Sequence, residues 1–338
     1  MTRYEMKPAF EERMKMLMPD EVDFKAFSEI VHTGPRNYVR CNTLKITPDK
    51  LMERLEMKGW KAIQQFPKYP EIILITQELG PGELGNAIEH VLGYYYIQEV
   101  CSMMSVIALE PKPGDIVLDL CASPGSKTTQ MAAKMENTGL LLANDLLMGR
   151  IAILASNLEK CGATNTIITR MDSISLCNRL RNLNFKADKI LLDAPCSGEG
   201  TLRSSPKTFL MWNPKVVKNL SRQQKKLMAF ALKCLKVGGT LVYSTCTHAP
   251  EEDESVVDFA IKNFPVKVEQ ISLPLKCRPG ITNWKDEKYN PEVQKTCRIY
   301  PQDNDSEGFF VSKLTLLEDI PIESQRIRKF SELEEIKN

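Results

Sequence analysis

The sequence predicts an α/β fold, a mostly parallel sheet wrapped by helices, with a smaller α+β module ahead of it. Two observations predict it. Beyond Pro111, short apolar runs alternate with amphipathic stretches of helical length, the pattern of strand and crossover-helix units. Those runs close on an acid or a thiol followed by a turn: Asp119, Asp145, Asp172, Asp193 and Cys246. In an open parallel sheet such residues share one rim, where ligands bind. The first hundred residues lack this rhythm.

In the leading module, helical patterns lie over 10–17 and 23–31, followed by the strand-like YVRCNTLKI, a helix over 49–58 behind Pro48, and the strand EIILIT behind Pro70. The first strand of the larger part, DIVLDLC, runs into the turn ASPGSK and a helix starting near Thr128. GLLLAND ends at Asp145, and MGRIAILASNLEKCG is an amphipathic helix closed by Gly162. TNTIITRMD ends at Asp172, and ADKILLDAPC carries Asp193 and Cys196 into the polar loop SGEGTLRSSP. SRQQKKLMAFALKCLKVGG reads as a helix with Ser221 as N-cap and Gly238-Gly239 as its stop. TLVYSTC ends at Cys246, and EEDE behind Pro250 reads as a helix start matched to its dipole, with no chemistry of its own. VKVEQI, a loop rich in Pro and Cys, and the strand GFFVSKLTLL follow, and 318–338 reads as a charged tail or surface helix.

The 338 residues are 43% hydrophobic and 26% charged, proportions that build an ordinary globular core. A net charge of +2 neither supports nor excludes nucleic acid, so a nucleic-acid face must gather its basic residues locally. No apolar stretch reaches membrane-spanning length, and MTRYEMKPAFEERMK has no hydrophobic signal core, which predicts a cytoplasmic protein. Ten cysteines without close pairing predict reduced thiols. With no C-x-x-C pair and only His32, His90 and His248, no metal is expected. Nothing demands more than a monomer.

Four acids and two thiols on one rim repel or react, a poor arrangement for stability alone. In CASPGSK, Gly125 lets the backbone pass close to a ligand and the following helix offers its N-terminal amides, yet neither G-x-G-x-x-G nor a P-loop spacing is present. NAD and ATP are therefore disfavoured. Asp145 suits two ribose hydroxyls and Asp172 an adenine amino group, although either acid alone could simply cap a helix. S-adenosylmethionine, an adenosine without phosphates, is the simplest ligand for this set.

DLCASPGSKTT, Asp145 with Arg150, DAPCSGEGTLR, YSTCT followed by EDE, and NYVRCNTLK together resemble the Sun-type RNA cytosine-5 methyltransferases from about Asn37 to Leu316. The resemblance implies a Rossmann-like class I methyltransferase domain with a seven-stranded sheet over 106–317, behind an RNA-binding α+β module over 1–105. It implies that Cys121, Ala122, Ser123, Pro124, Gly125, Ser126 and Lys127 cradle the methionine end of S-adenosylmethionine. Asp145 then holds the ribose with Arg150 beside it, Asp172 meets the adenine, and Asp193 reaches cofactor and base. The family usually writes C-A-A-P-G-G-K; Ser123 and Ser126 depart from it, and Ser126 adds a side chain where backbone approaches the cofactor.

Carbon 5 of cytosine is a poor nucleophile, so catalysis needs a thiolate to add at carbon 6. DNA enzymes use a Pro-Cys element, which here would be Pro195-Cys196, whereas the Sun-type resemblance assigns the attack to Cys246 of Thr245-Cys246-Thr247. Cys196 is then the thiol that assists breakdown of the adduct; its plainer use is as a structural cysteine. Asp193 can meet ring nitrogen 3 if protonated or the exocyclic amine if ionised. Arg203, Lys207, Arg222, Lys225 and Lys226 form a candidate basic wall for RNA, or a solvated helix face. Arg40 and Asn42 belong to the family pattern, where they support the site from the N-terminal module and count among its RNA contacts, and Tyr94, Tyr95 and Tyr96 can stack on bases or pack in a core. The target base must leave its stack or be single-stranded. The substrate reads as tRNA ahead of rRNA, and a cofactor-binding but inactive RNA scaffold is the reading from another class.

Overall fold

A computed structural model describes residues 5–321, so most of the charged segment over 318–338 lies outside the described residues. The leading module centres on a four-stranded antiparallel sheet of β1 (Asn37–Cys41), β2 (Ala62–Gln64), β3 (Ile72–Ile75) and β4 (Tyr95–Ile97), in the order β2-β3-β1-β4. Helix Pro48–Met57, with Pro at its start and the Thr47 hydroxyl accepting from Lys50 N, closes one face through Leu51 and Leu55. The first two helices, Pro8–Leu17 and Glu21–Ile30, pack elsewhere: Phe10, Met14 and Phe27 cluster with Leu202, Phe209, Trp212 and Tyr300 of the larger part.

The large sheet holds β5 (Ile116–Asp119), β6 (Leu140–Asp145), β7 (Thr166–Arg170), β8 (Ala187–Asp193) and β9 (Leu235–Thr245), all parallel in the order β7-β6-β5-β8-β9. β10 (Val266–Glu269) and β15 (Phe309–Leu316) bring the count to the seven expected. β15 lies antiparallel beside β9, and its outer edge is shared: β10 pairs with residues 313–316, and β14 (Cys297–Ile299) with residues 309–311. β11 (Arg278–Pro279) extends β14, so the sheet has nine strands; the hairpin of β12 (Asn283–Trp284) and β13 (Glu287–Lys288) stands apart. The eight-residue β15 outruns its four-residue partner β10, and the Pro- and Cys-rich segment supplies the strands that satisfy the edge left over.

Alternation along the strands builds a core on each face. Leu118, Ile190, Leu192, Leu241 and Tyr243 face helices Ser173–Asn182, Pro214–Leu232 and Glu254–Asn263, while Val117, Leu191, Val242 and Val311 face helices Val100–Leu109 and Ser126–Lys134. Helix Val100–Leu109 is buried all round except Ser102 and spans position 105.

One helix departs from expectation at both ends. Asn213, accepting from Lys215 N, caps a helix that begins at Pro214, seven residues before Ser221, and it stops at Leu232. Asn-Pro is itself a start signal, and Gly238 and Gly239 turn the chain inside β9 instead of ending the helix.

Candidate active site

Two cavities open along the carboxyl rim of the sheet, on either side of the turn that follows Asp193. The first, of about 550 Å³, runs past Cys121, Asp145, Arg150, Asp172, Ile174 and Pro195. Of the CASPGSK turn only Cys121 lines this cavity and Lys127 the other, with residues 122–126 between them; Gly125 bends the turn at φ +105°, a left-handed conformation that L side chains rarely adopt, at the cap of helix Ser126–Lys134. Arg150 straps this turn to β6: Nε lies 3.3 Å from Asp145 Oδ2 and Nη2 donates to Ser123 O at 2.7 Å. The Ser123 amide donates to Asp145 Oδ2 at 3.3 Å and its hydroxyl to Arg150 O at 2.8 Å.

Asp172 caps helix Ser173–Asn182 through Ser175 N at 2.9 Å and also lines the groove, so capping and ligand contact coexist at one carboxylate. Beneath the turn, burial raises Asp119 to about 7 against the pull of the Thr128 hydroxyl, which one of its oxygens accepts at 2.8 Å. Leu146 and Leu147, each more than half exposed, give the groove apolar walls next to two carboxylates. Those residues fit an adenosine-bearing cofactor: flat apolar surface for a base, and acceptors for ribose hydroxyls and an amino group.

The second cavity, of about 390 Å³, has Asp193, Lys127 and Cys246 in its lining. The Lys127 Nζ lies 2.8 Å from Asp193 Oδ2, and Asp193 Oδ1 accepts the Ser244 hydroxyl at 2.7 Å, so both oxygens are oriented. Burial works against the Lys127 ammonium, but Asp193, and behind it Cys246 and Asp119, hold its pKa above the ordinary lysine value. Cys196 Sγ stands 3.2 Å from Cys246 Sγ, two thiols fifty positions apart in sequence. Hydrogen bonding to Cys246, together with burial, pushes the Cys196 thiol well up, so Cys196 keeps its proton and can donate it towards Cys246 sulfur.

The EEDE segment turns out to brace this pair, a role its sequence did not disclose. Only Glu254 lies inside helix Glu254–Asn263, and Glu252, Asp253 and Glu254 are fully buried. Glu252 Oε2 accepts Ser197 N at 3.0 Å and Gln224 Nε2 at 2.9 Å, and the same amide donates to Pro195 O at 2.8 Å; the turn carrying Cys196 is clamped on both sides. Asp253 accepts the Thr245 hydroxyl at 2.6 Å, fixing the residue before Cys246, and Glu254 holds the buried Arg298 in a two-point pair at 2.6 Å. Four consecutive acids that exceed what a helix dipole can use were the available signal. Gly200 N donates to Cys246 O at 2.9 Å, and a Cβ there would lie 2.9 Å from that oxygen and 2.3 Å from Gly308 O.

Residues 106–315 match the family model of the 16S rRNA methyltransferase RsmB/F, and residues 6–100 match that of the N-terminal domain of 16S rRNA methyltransferase RsmF. The chain belongs to the RsmB/F methyltransferase family. It is 40% identical over 292 residues to the tRNA (cytosine(49)-C(5))-methyltransferase of Pyrococcus abyssi, covering 86% of this chain and 92% of that one. It is 36% identical to ribosomal RNA small subunit methyltransferase F of Psychromonas ingrahamii over 90% of this chain, but spans only 62% of that relative's length. Among solved structures, a methyltransferase homolog from Pyrococcus horikoshii superposes with a TM-score of 0.77 at 32% identity, covering 92% of this chain and all of that one. NSun6 from the same organism, solved with SFG, gives 0.79 at 26% identity over 93% and 99%. The fold class, the methyltransferase assignment and the S-adenosylmethionine cofactor expected from the sequence agree with this membership. The RNA cytosine-5 methylation expected from the sequence agrees with the membership and with the reaction named for the Pyrococcus abyssi relative.

In this RsmB/F-family chain the residues expected to meet RNA are scattered. Arg40 is buried and donates to Gln98 Oε1, to Ser126 O at 2.6 Å and to Thr129 Oγ1 at 2.8 Å, so it rivets β1 to the cofactor turn and cannot reach a phosphate. Asn42 is buried too, donating to Gly93 O and Cys161 O at 2.8 Å each. Arg203 is 3% exposed and ties the loop after Cys196 to Thr33, Gly34, Ser306 and Asp305. Lys225 donates to Ser255 Oγ at 2.8 Å, and Lys226 lines the cofactor groove. Only Lys207 and Arg222 of that set are exposed cations away from both cavities. Of the three tyrosines, Tyr95 and Tyr96 are buried. All ten cysteines are free thiols. Among the described residues no His, Cys, Asp and Glu cluster could hold a metal ion, and no helix is long and apolar enough to cross a membrane.

Proposed function

We propose that the chain methylates carbon 5 of a cytosine in tRNA, in the cytoplasm, with Cys246 as nucleophile and Cys196 as the releasing thiol. One observation carries this reading: Cys246 shares a cavity of nucleoside size with the Lys127–Asp193 ion pair, next to the cofactor groove, and the Cys196 thiol stands 3.2 Å behind it. Cys246 sulfur forms a bond to carbon 6, and the displaced ring electrons make carbon 5 nucleophilic. As the acid partner of an ion pair, Asp193 accepts from the exocyclic amine and holds the ring over the thiol. S-adenosylmethionine, when bound against residues 121–127, Asp145 and Asp172, supplies an electrophilic methyl group. Carbon 5 then gives up its proton to a water at the open cavity, the electrons of that bond restore the carbon 5–carbon 6 double bond, and the carbon 6–sulfur pair returns to Cys246, with the Cys196 S–H placed to hydrogen-bond the departing sulfur. The leading 105 residues serve as the RNA-binding module. The 40% identity to a tRNA-directed relative over 92% of its length supports tRNA, while the family model's name keeps rRNA as the second reading.

The test is a denaturing gel after incubation with tRNA and S-adenosylmethionine. Cys196→Ala should accumulate a protein–RNA adduct, while Cys246→Ala should form none. An adduct in Cys246→Ala would exchange the two roles, and an adduct only with rRNA would replace the substrate.

A further inference from the structure

The target cavity carries two cations, and only one is committed. Lys127 lies inside, its side chain 12% exposed and paired to Asp193. Arg36 stands at the mouth with its side chain 46% exposed, paired through Nε to Asp305. Asp305 has a second partner, because Oδ1 accepts Arg203 Nη2 at 2.7 Å. Arg36 can therefore swing away without leaving Asp305 uncompensated, and its own pairing, at a solvated rim, holds it only weakly. The segment that presents it is fixed from below: Arg203 donates to Gly34 O at 2.7 Å and to the Thr33 hydroxyl at 3.0 Å, and β1 begins at the next residue, Asn37. A cation on a fixed stalk, at the mouth of a nucleoside-sized cavity, with an acid it can give up, has the chemistry of a phosphodiester clamp.

We propose that Arg36 is the phosphate anchor of the everted nucleotide, exchanging Asp305 for a backbone phosphate beside the target cytidine. This rests on the RNA reading above. In the free protein Asp305 competes with that phosphate, so substitutions at the two positions should move RNA affinity in opposite directions.

The experiment measures binding of the full chain to a tRNA transcript across a salt series, with S-adenosylmethionine affinity followed in parallel. Arg36→Ala should weaken RNA binding on the order of tenfold and lower the slope of log affinity against log salt by about one. Arg36→Lys should recover most of that slope. Asp305→Asn, which keeps an oxygen for Arg203 but removes the competing charge, should tighten binding a few-fold. Cofactor affinity should not change in any variant. A wild-type slope in Arg36→Ala, or weaker binding in Asp305→Asn, would overturn the anchor. So would loss of cofactor affinity in Arg36→Ala, since that would make Arg36 a support of the fold. The Cys196→Ala adduct separates the two levels: if it forms with saturating tRNA while the Arg36→Ala slope is unchanged, the function stands and the anchor fails. If no adduct forms with any RNA, both fall.

Discussion

At the scale of single residues, the site is governed by which buried groups keep their protons. Glu252 has no exposed surface, and burial raises it to about 7 even though Ser197 N and Gln224 Nε2 favour its ionised form. A carboxyl whose folded pKa is raised contributes its stability fully below the unfolded value near 4.5. That contribution is lost as pH rises through about 7. Glu252→Gln, which stays neutral, should therefore gain on the wild type between pH 4.5 and 7 and hold a constant difference above it. Urea unfolding of both proteins across that range checks the sign, and parallel curves would show that Glu252 does not titrate there. The carboxylates of the rim were legible in sequence because each closes an apolar run. Glu252, Asp253 and Gln224 were not, since their roles depend on partners 28 to 55 positions away or on which way the chain turns after Cys246.

At the scale of elements, two loop ends meet through backbone, which leaves no room for adjustment. The Gly200 amide binds the Cys246 carbonyl, Gly308 N binds the Gly200 carbonyl at 2.8 Å, and a Cβ at Gly200 would strike both neighbouring oxygens. Gly200→Ala should cost about 1–3 kcal/mol in unfolding free energy, and it should lower the methylation rate more than the affinity for cofactor, because the displaced carbonyl belongs to Cys246. Thermal denaturation with steady-state kinetics tests this, and a variant that loses cofactor affinity first would place the strain elsewhere. Helix boundaries show the same dependence on context. Met148–Cys161 and its Gly162 cap follow from local chemistry, whereas the helix read from Ser221 starts at Pro214, and the Ser221 hydroxyl goes to Glu251 O. A serine inside an amphipathic run imitates a cap unless the Asn-Pro signal upstream is given priority.

At the scale of the whole molecule, the module and the catalytic part are joined by buried polar rivets as well as by apolar packing. Arg40 reaches from β1 to Ser126 at the end of the cofactor turn and to Thr129 in the helix behind it, and burial lowers its pKa to about 10. Arg40→Ala should cost about 2–3 kcal/mol, the worth of hydrogen bonds from a charged group, and should weaken S-adenosylmethionine binding through the turn. The salt dependence of RNA binding should stay at its wild-type slope. Calorimetric cofactor titration and the same salt series measure both, and a reduced slope would return Arg40 to the RNA interface. Of the five cations read as a wall, Arg203 is buried and Lys225 half-buried, whereas Lys207, Arg222 and Lys226 stay exposed: charge type is written in the chain, but exposure is set by which elements cover it.

By itself the sequence determined the alternation of strands and helices, the rim of acids and thiols, the cofactor turn and the family pattern, because period, turn chemistry and motif spacing are local properties. Only the tertiary structure decided that Cys196 and Cys246 touch and that the EEDE acids brace them. It also decided which partners Arg40 and Asn42 support, that Arg203 is buried in a structural network, and that Arg36 is left at the mouth of the cavity. Each of these depends on long-range packing, which sets both the distance between side chains and their access to water.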